Sequence, residues 1–277
     1  MLGYIPPVER TPRVWFPRTT LPVAPAVAGR DVSRDRRALL SSLPAHGRRS
    51  RRGLIVDLDD TLYPRERFVR SGLAAVARHV HLHHGVPVEQ AFAVMTRALA
   101  GGRAGGELQA LCDRFALRSD VVPVLLEVFR SHTPALFLPL AASDTLRTLR
   151  AQGWALAILT NGLPSVQFRK VAALGLAALV DDVIYAEEHA PGGKPSPAPF
   201  RAALRALDLD AAECVCVGDD AARDVRGARA LGVATIRLAR AGVSVPAGQD
   251  ADVVIESLRQ LPDAASLVLR TVTADVA

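Results

Sequence analysis

The stretch GLIVDLDDTLYP, residues 53–64, runs an apolar segment straight into Asp57, Asp59 and Asp60, with Thr61 behind them. A carboxylate at the end of a buried strand can attack phosphorus or carbon and form a covalent intermediate, and Asp57 stands at such an end. Asp59, two residues on, can protonate a leaving oxygen and afterwards activate water. Two acids beside a phosphate dianion repel it, so this chemistry demands a cation. Mg²⁺ prefers oxygen ligands and suits carboxylates from Asp57 and Asp219, with the backbone carbonyl of Asp59 completing the protein's share.

Two further places carry matching chemistry. Thr160 and Asn161 end a second apolar run just before Pro164 opens a helix, and a hydroxyl, an amide and free N–H groups there form a phosphate cradle. Lys194 stands in GGKPSPAPF, in a chain with only two lysines, Lys170 and Lys194. A lysine in a loop facing acids provides a compact charge that can hold nucleophile and phosphate together.

Something must bring these groups to one place. The segments 54–57, 155–161, 182–186, 214–219 and 233–238 read as buried strands, and 252–255 as a candidate sixth. The segments 143–153, 164–176, 198–209 and 222–232 read as amphipathic helices, several ending at glycine. Such alternation predicts an α/β fold, a parallel sheet with helices on both faces, whose ligands sit at the carboxyl ends of the strands. Asp57, Thr160-Asn161, Glu187-Glu188 with Lys194 nearby, and Gly218-Asp219-Asp220 all fall at such ends. Between about residues 63 and 140 the alternation stops and the pattern is helical throughout, with a glycine-rich loop at GGRAGGE, 101–107. This predicts an all-helical insertion above the strand ends, where a lid is useful.

The net charge of +6 invites a nucleic-acid reading until it is located. Residues 1–52 hold eleven Arg against Glu9, Asp31 and Asp35, which is +8 and leaves −2 for the remainder. The basic character therefore belongs to a Pro/Arg-rich segment expected to be disordered, and a nucleic-acid partner would meet that tail alone. No apolar run approaches the roughly 18 residues of a membrane span. Cys112, Cys214 and Cys216 form no CxxC pair; Cys214 and Cys216 alternate as buried strand residues do, and a reducing cytoplasm is the expected setting.

DLDDTLY at 57–63, TN at 160–161, KP at 194–195 and GDDAARDVRGA at 218–228 resemble, in order and spacing, the four motifs of the haloacid dehalogenase superfamily. The resemblance covers about residues 53–262. It implies a Rossmann-like core, residues 53–62 and 141–270, interrupted by a helical type-one cap, residues 63–140. It further implies Asp57 as nucleophile, Asp59 as general acid/base and Thr160 as phosphate binder. Lys194 would stabilise the aspartyl-phosphate, Asp219 would ligate Mg²⁺, and Asp224 would hold water on the metal or orient Lys194. Two departures stand out: Asp220 replaces the family's frequent Ser, and Arg223 its Asn, leaving open whether Asp220 joins the metal site. Dehalogenases lack an acid equivalent to Asp59, so its presence favours phosphate-ester hydrolysis.

The expected activity is Mg²⁺-dependent hydrolysis of a small phosphorylated metabolite: a nucleoside monophosphate, phosphoglycolate or a sugar phosphate. A sugar phosphomutase on the same fold and a non-catalytic binding protein are the alternatives. Arg103 in the glycine-rich loop and His132 near the return to the core are candidates for substrate selection. His79 and His83, four apart on a helix, have a spacing that can bind metal, but without an acid or cysteine alongside they read as a polar face. Arg65, Arg67 and Arg70 read as solvated, and Tyr63 as a packing residue.

Overall fold

Leu54, Ile55 and Val56 are apolar on both sides of the chain, the mark of a strand covered by helices above and below. In the computed structural model, which describes residues 52–101, 105–239 and 251–274, they form the middle of β1 (Arg52–Val56). β2 (Trp154–Thr160), β3 (Asp182–Tyr185), β4 (Cys214–Gly218), β5 (Ala234–Leu238) and β6 (Val253–Ile255) complete a parallel sheet in the order β3-β2-β1-β4-β5-β6. The sixth strand is thus present. Val56 pairs with Ile158 on one side and with Val217 on the other. The strand order departs in opposite directions from β1, so the crevice at such a switch point opens at its carboxyl end. Asp57 is the next residue.

Alternation along each strand sorts the core into two layers. Leu54, Val56, Ile158 and Val217 pack on one face with Leu146 and Leu149 of α5 (Leu140–Ala151) and Leu261 and Ala265 of α9 (Leu261–Ala274). Ile55, Ala157, Leu159, Cys214 and Cys216 pack on the other with Phe200 and Ala203 of α7 (Pro197–Leu207). The two strand cysteines are buried together on one face, as expected. After β2 comes α6 (Pro164–Ala173), and after β4 a π-helical turn (Ala221–Val225) runs into the short α8 (Arg226–Arg229).

Among the described residues the insertion forms four α-helices, α1 (Arg65–His84), α2 (Val88–Ala100), α3 (Glu107–Phe115) and α4 (Val122–Ser131). Val69, Leu73, Val76 and Val80, a helical stripe on α1, meet Met95, Leu111 and Leu125 in a cluster of their own. Helix does not continue to residue 140. The chain returns to the core through residues 132–139 without regular structure, because Pro134 and Pro139 exclude helical geometry before them. The basic segment also ends one residue earlier than its composition indicates: Arg52 begins β1, its guanidinium 5.0 Å from the Trp154 ring. The rest of that segment, residues 1–51, lies outside the described residues, as does Arg103.

Candidate active site

The segment after β1 folds back on itself. Asp57 N–H donates to Val217 O at 2.9 Å, extending the sheet by one residue, and Asp60 N–H donates to Tyr63 O at 2.8 Å to close a tight loop. Asp60 takes a left-handed backbone, φ 66°, which Asp tolerates better than bulkier residues, and its carboxylate accepts the N–H of Arg65 at 3.0 Å where α1 begins. This turn aims Asp57 and Asp59 into a cavity of about 770 Å³. Thr160, Lys194, Asp219 and Asp224 line it from the sheet, and Phe68, Val69, Leu126, Phe129 and Arg130 from the helical insertion.

Lys194 is the centre of the arrangement. Its Nζ lies 2.7 Å from Asp57 Oδ1, 2.6 Å from Asp224 Oδ1 and 2.8 Å from the carbonyl of Leu159, so all three of its protons are directed. Burial opposes its charge, but the two carboxylates hold its pKa above the usual lysine value. Burial pushes Asp57 up to about 6 against the pull of Lys194, and burial likewise raises Asp224. The other oxygens are also engaged: Thr61 Oγ1 donates to Asp57 Oδ2 at 2.9 Å, and Asp220 N–H to Asp224 Oδ2 at 3.1 Å. A Cβ on Gly218 would overlap the Asp224 carboxyl, so only glycine lets that acid approach the end of β4.

Carboxylate oxygens of Asp57, Asp219 and Asp224 come within 4.8 Å of one another. Three acids so close, two of them with raised pKa values, form an all-oxygen donor set that a hard divalent cation would relieve. Asp220 stands apart from this trio. Its Oδ1 accepts the N–H groups of Ala222 and Arg223 at 2.8 and 2.9 Å, and its Oδ2 accepts Arg223 Nε at 2.7 Å. The two departures from the family pattern, at 220 and 223, are therefore partners that together start the π-helical turn.

Asn161 lines the cavity and also holds the lysine loop. Its Oδ1 accepts Lys194 N–H at 2.8 Å and its Nδ2 donates to Lys194 O at 3.0 Å, tying the lysine loop to the end of β2. Gly193, φ 64°, passes so near that a Cβ would meet Asn161 Oδ1 at 2.5 Å. Thr160 is buried, with its hydroxyl against Gln167 Nε2.

Asp59 brings in two residues the motifs do not contain, Gln167 and Lys170, beside Tyr63 of the first motif. Lys170 Nζ lies 2.9 Å from Asp59 Oδ1 and 2.7 Å from Oδ2, Tyr63 O–H donates to Oδ1 at 2.6 Å, and Gln167 Nε2 donates to Oδ2 at 2.9 Å. Burial alone would raise Asp59, but Lys170 together with the hydrogen bonds from Tyr63 and Gln167 holds the carboxyl below its ordinary value. Burial holds Lys170 below its ordinary value against the opposing pull of Asp59. Tyr63 packs in the core and also binds. The scarcity of lysine was a signal for Lys170 as much as for Lys194. His132 is not among the residues that line the cavity: it packs against Phe68 and Phe129, ring centroids 5.0 and 6.0 Å away, and its Nδ1 faces Phe129 O. His79 and His83 stack at 4.2 Å on α1, away from the acids.

Comparison with other proteins shows what this chain is similar to. The glyceraldehyde 3-phosphate phosphatase of Methanocaldococcus jannaschii is 29% identical over 219 residues, spanning 76% of this chain and 96% of its own. The ribulose-1,5-bisphosphate 5-phosphatase of Halopiger xanaduensis is 31% identical over 198 residues, 66% of this chain and 82% of its own. The HAD-hydrolase YfnB from Bacillus subtilis shares the fold at a TM-score of 0.57 and 20% identity, covering 78% of this chain and 98% of that one. The family description "haloacid dehalogenase-like hydrolase" matches residues 52–232, through all four strand ends that carry the polar groups, and this chain belongs to that family.

Proposed function

We propose that the protein is a phosphatase that hydrolyses a small phosphate ester through an aspartyl-phosphate on Asp57, with Mg²⁺ as cofactor. The observation that carries the reading is the grip of one ammonium, Lys194, on Asp57 and Asp224, with Asp59 in the same cavity. A carboxylate oxygen of Asp57 attacks phosphorus in line, the ester P–O bond breaks, and Asp59, ionised in the free protein, passes to the departing oxygen a proton that it takes up with the substrate. Water then attacks phosphorus, Asp59 takes the proton, and the Asp57–phosphate bond breaks to regenerate the carboxylate. Lys194 and the Thr160 hydroxyl face the charge on the phosphoryl oxygens, from positions held before substrate arrives. Asp57, Asp219, Asp224 and the carbonyl of Asp59 would hold Mg²⁺, which supplies positive charge to offset that of the phosphoryl group.

The helical insertion acts in this reading as a cap. Phe68, Val69, Leu126 and Phe129 give the cavity an apolar wall on the leaving-group side, and a dry wall excludes competing water in the first step. The relatives' names make glyceraldehyde 3-phosphate and ribulose 1,5-bisphosphate the first substrates to try, beside phosphoglycolate and nucleoside monophosphates. The free thiols of Cys112, Cys214 and Cys216 fit a reducing cytoplasm. The test is phosphate release from that panel with Mg²⁺ and with EDTA, with Asp57→Asn as control. Metal-dependent release lost in Asp57→Asn supports the reading. Isomerised sugar phosphate without release would favour a phosphomutase, and no turnover by folded protein a binding role.

A further inference from the structure

The Asp59 carboxylate accepts four directed contacts, two on each oxygen, from three side chains. That fills the acceptor sites of the ionised carboxylate, so one of these contacts yields when Asp59 takes up the proton it transfers. Two of the three donors, Gln167 and Lys170, come from α6, three residues apart on one face of that helix. Both are almost fully buried, although polar residues on a helix of this kind normally face water. Gln167 Nε2 also contacts Thr160 Oγ1, so one amide touches both the proposed proton-transfer group and the proposed phosphate binder. The ammonium of Lys170 lies 4.5 Å from the centroid of Phe68, a residue of α1 in the helical insertion.

A buried ion pair is a poor device for stability alone, since desolvating two charges offsets most of their attraction. Asp59 sits at the cavity, where water could solvate it without any lysine. The pair makes sense if the direction of the carboxylate matters. We propose that Lys170 is a positioning residue for proton transfer by Asp59: with Gln167 and Tyr63 it fixes the carboxylate against the Asp57 phosphoryl position, and its contact with Phe68 ties that orientation to the seat of α1. The proposal rests on the acid/base reading of Asp59.

A leaving group that needs no proton separates this role from a structural one. The value of kcat/KM reports the first step only, up to departure of the leaving group. It is measured for the best alkyl phosphate of the panel and for 4-nitrophenyl phosphate. Wild type, Lys170→Met, Lys170→Arg, Asp59→Asn and the double variant Lys170→Met/Asp59→Asn are compared. Lys170→Met is expected to lower kcat/KM for the alkyl ester by about tenfold or more, in the range of a displaced acid, and for the nitrophenyl ester by less than about threefold. Lys170→Arg restores part of the loss, and in the Asp59→Asn background Lys170→Met costs nothing further. Equal losses on both esters, or losses that add in the double variant, would overturn the proposal. If Asp59→Asn itself shows no preference for the nitrophenyl ester, the acid reading of Asp59 is what has failed, and the proposal falls with it. Should Lys170→Met not fold, Lys170→Gln, which keeps a hydrogen-bond donor, serves in its place.

Discussion

Asn161 and Lys194 are joined twice, side chain to backbone: the amide oxygen accepts the lysine N–H at 2.8 Å and the amide nitrogen donates to the lysine carbonyl at 3.0 Å. The residues are 33 apart in the chain, and the two bonds set where the lysine loop meets the end of β2. Asn161→Ala removes both and leaves the Lys194 backbone groups without these partners. We expect a stability loss of about 1–3 kcal/mol, read as a lower urea midpoint. We also expect a fall in kcat larger than any change in KM, because Lys194 loses its placement rather than its charge. A fall in KM affinity alone would mean that Asn161 acts on substrate directly.

The raised pKa of Asp57 gives a signed prediction for the metal-free protein. Its value in the folded chain, about 6, lies above the ordinary 3.8, so the folded state holds this proton more tightly than the unfolded chain does. The associated stability is fully present below the ordinary value and is lost as pH rises through about 6. In EDTA at pH 7.5, Asp57→Asn should therefore be more stable than wild type by on the order of 1 kcal/mol. The difference should shrink as pH falls toward 4.5. Urea midpoints at the two pH values check this; a gap that widens on acidification contradicts it.

Clustered acids also predict a response to cations. Mg²⁺ should raise the melting temperature of wild type, because it binds the folded trio of Asp57, Asp219 and Asp224 and not the unfolded chain. Asp219→Asn removes one ligand and should abolish most of the rise, while leaving the melting temperature in EDTA equal to or above that of wild type. A Mg²⁺ response unchanged in Asp219→Asn would place the cation elsewhere.

Asp220 and Arg223 should prove unequal in worth. Asp220→Ala strips two backbone N–H groups of their acceptor at the start of the turn after β4, a loss of about 1 kcal/mol by analogy with helix N-termini. Arg223→Ala removes only a half-exposed partner and should cost less than about 0.5 kcal/mol. Because Asp224 lies in the same turn, Asp220→Ala should also weaken Mg²⁺ binding. Chemical denaturation and a Mg²⁺ titration of melting temperature measure both.

What the sequence by itself determined is the order of the elements and the identity of the groups at the strand ends. Runs such as LIV at 54–56 and CVCV at 214–217 suit only strands covered on both faces, and the acids, threonine and lysine that follow them must emerge at one edge once those strands are parallel. Local rules also explain where helix stops, as at Pro134 and Pro139. Only the tertiary structure decided how the side chains pair across that edge. Gln167 and Lys170 fit an amphipathic helix equally well facing water or facing inward, and nothing local tells that α6 turns them onto Asp59, 108 and 111 residues away. His132 could have ended beside the acids or among Phe68 and Phe129, and packing chose the aromatic side. Periodicity reports which face of an element is buried, but which distant charge that face meets depends on how the elements pack.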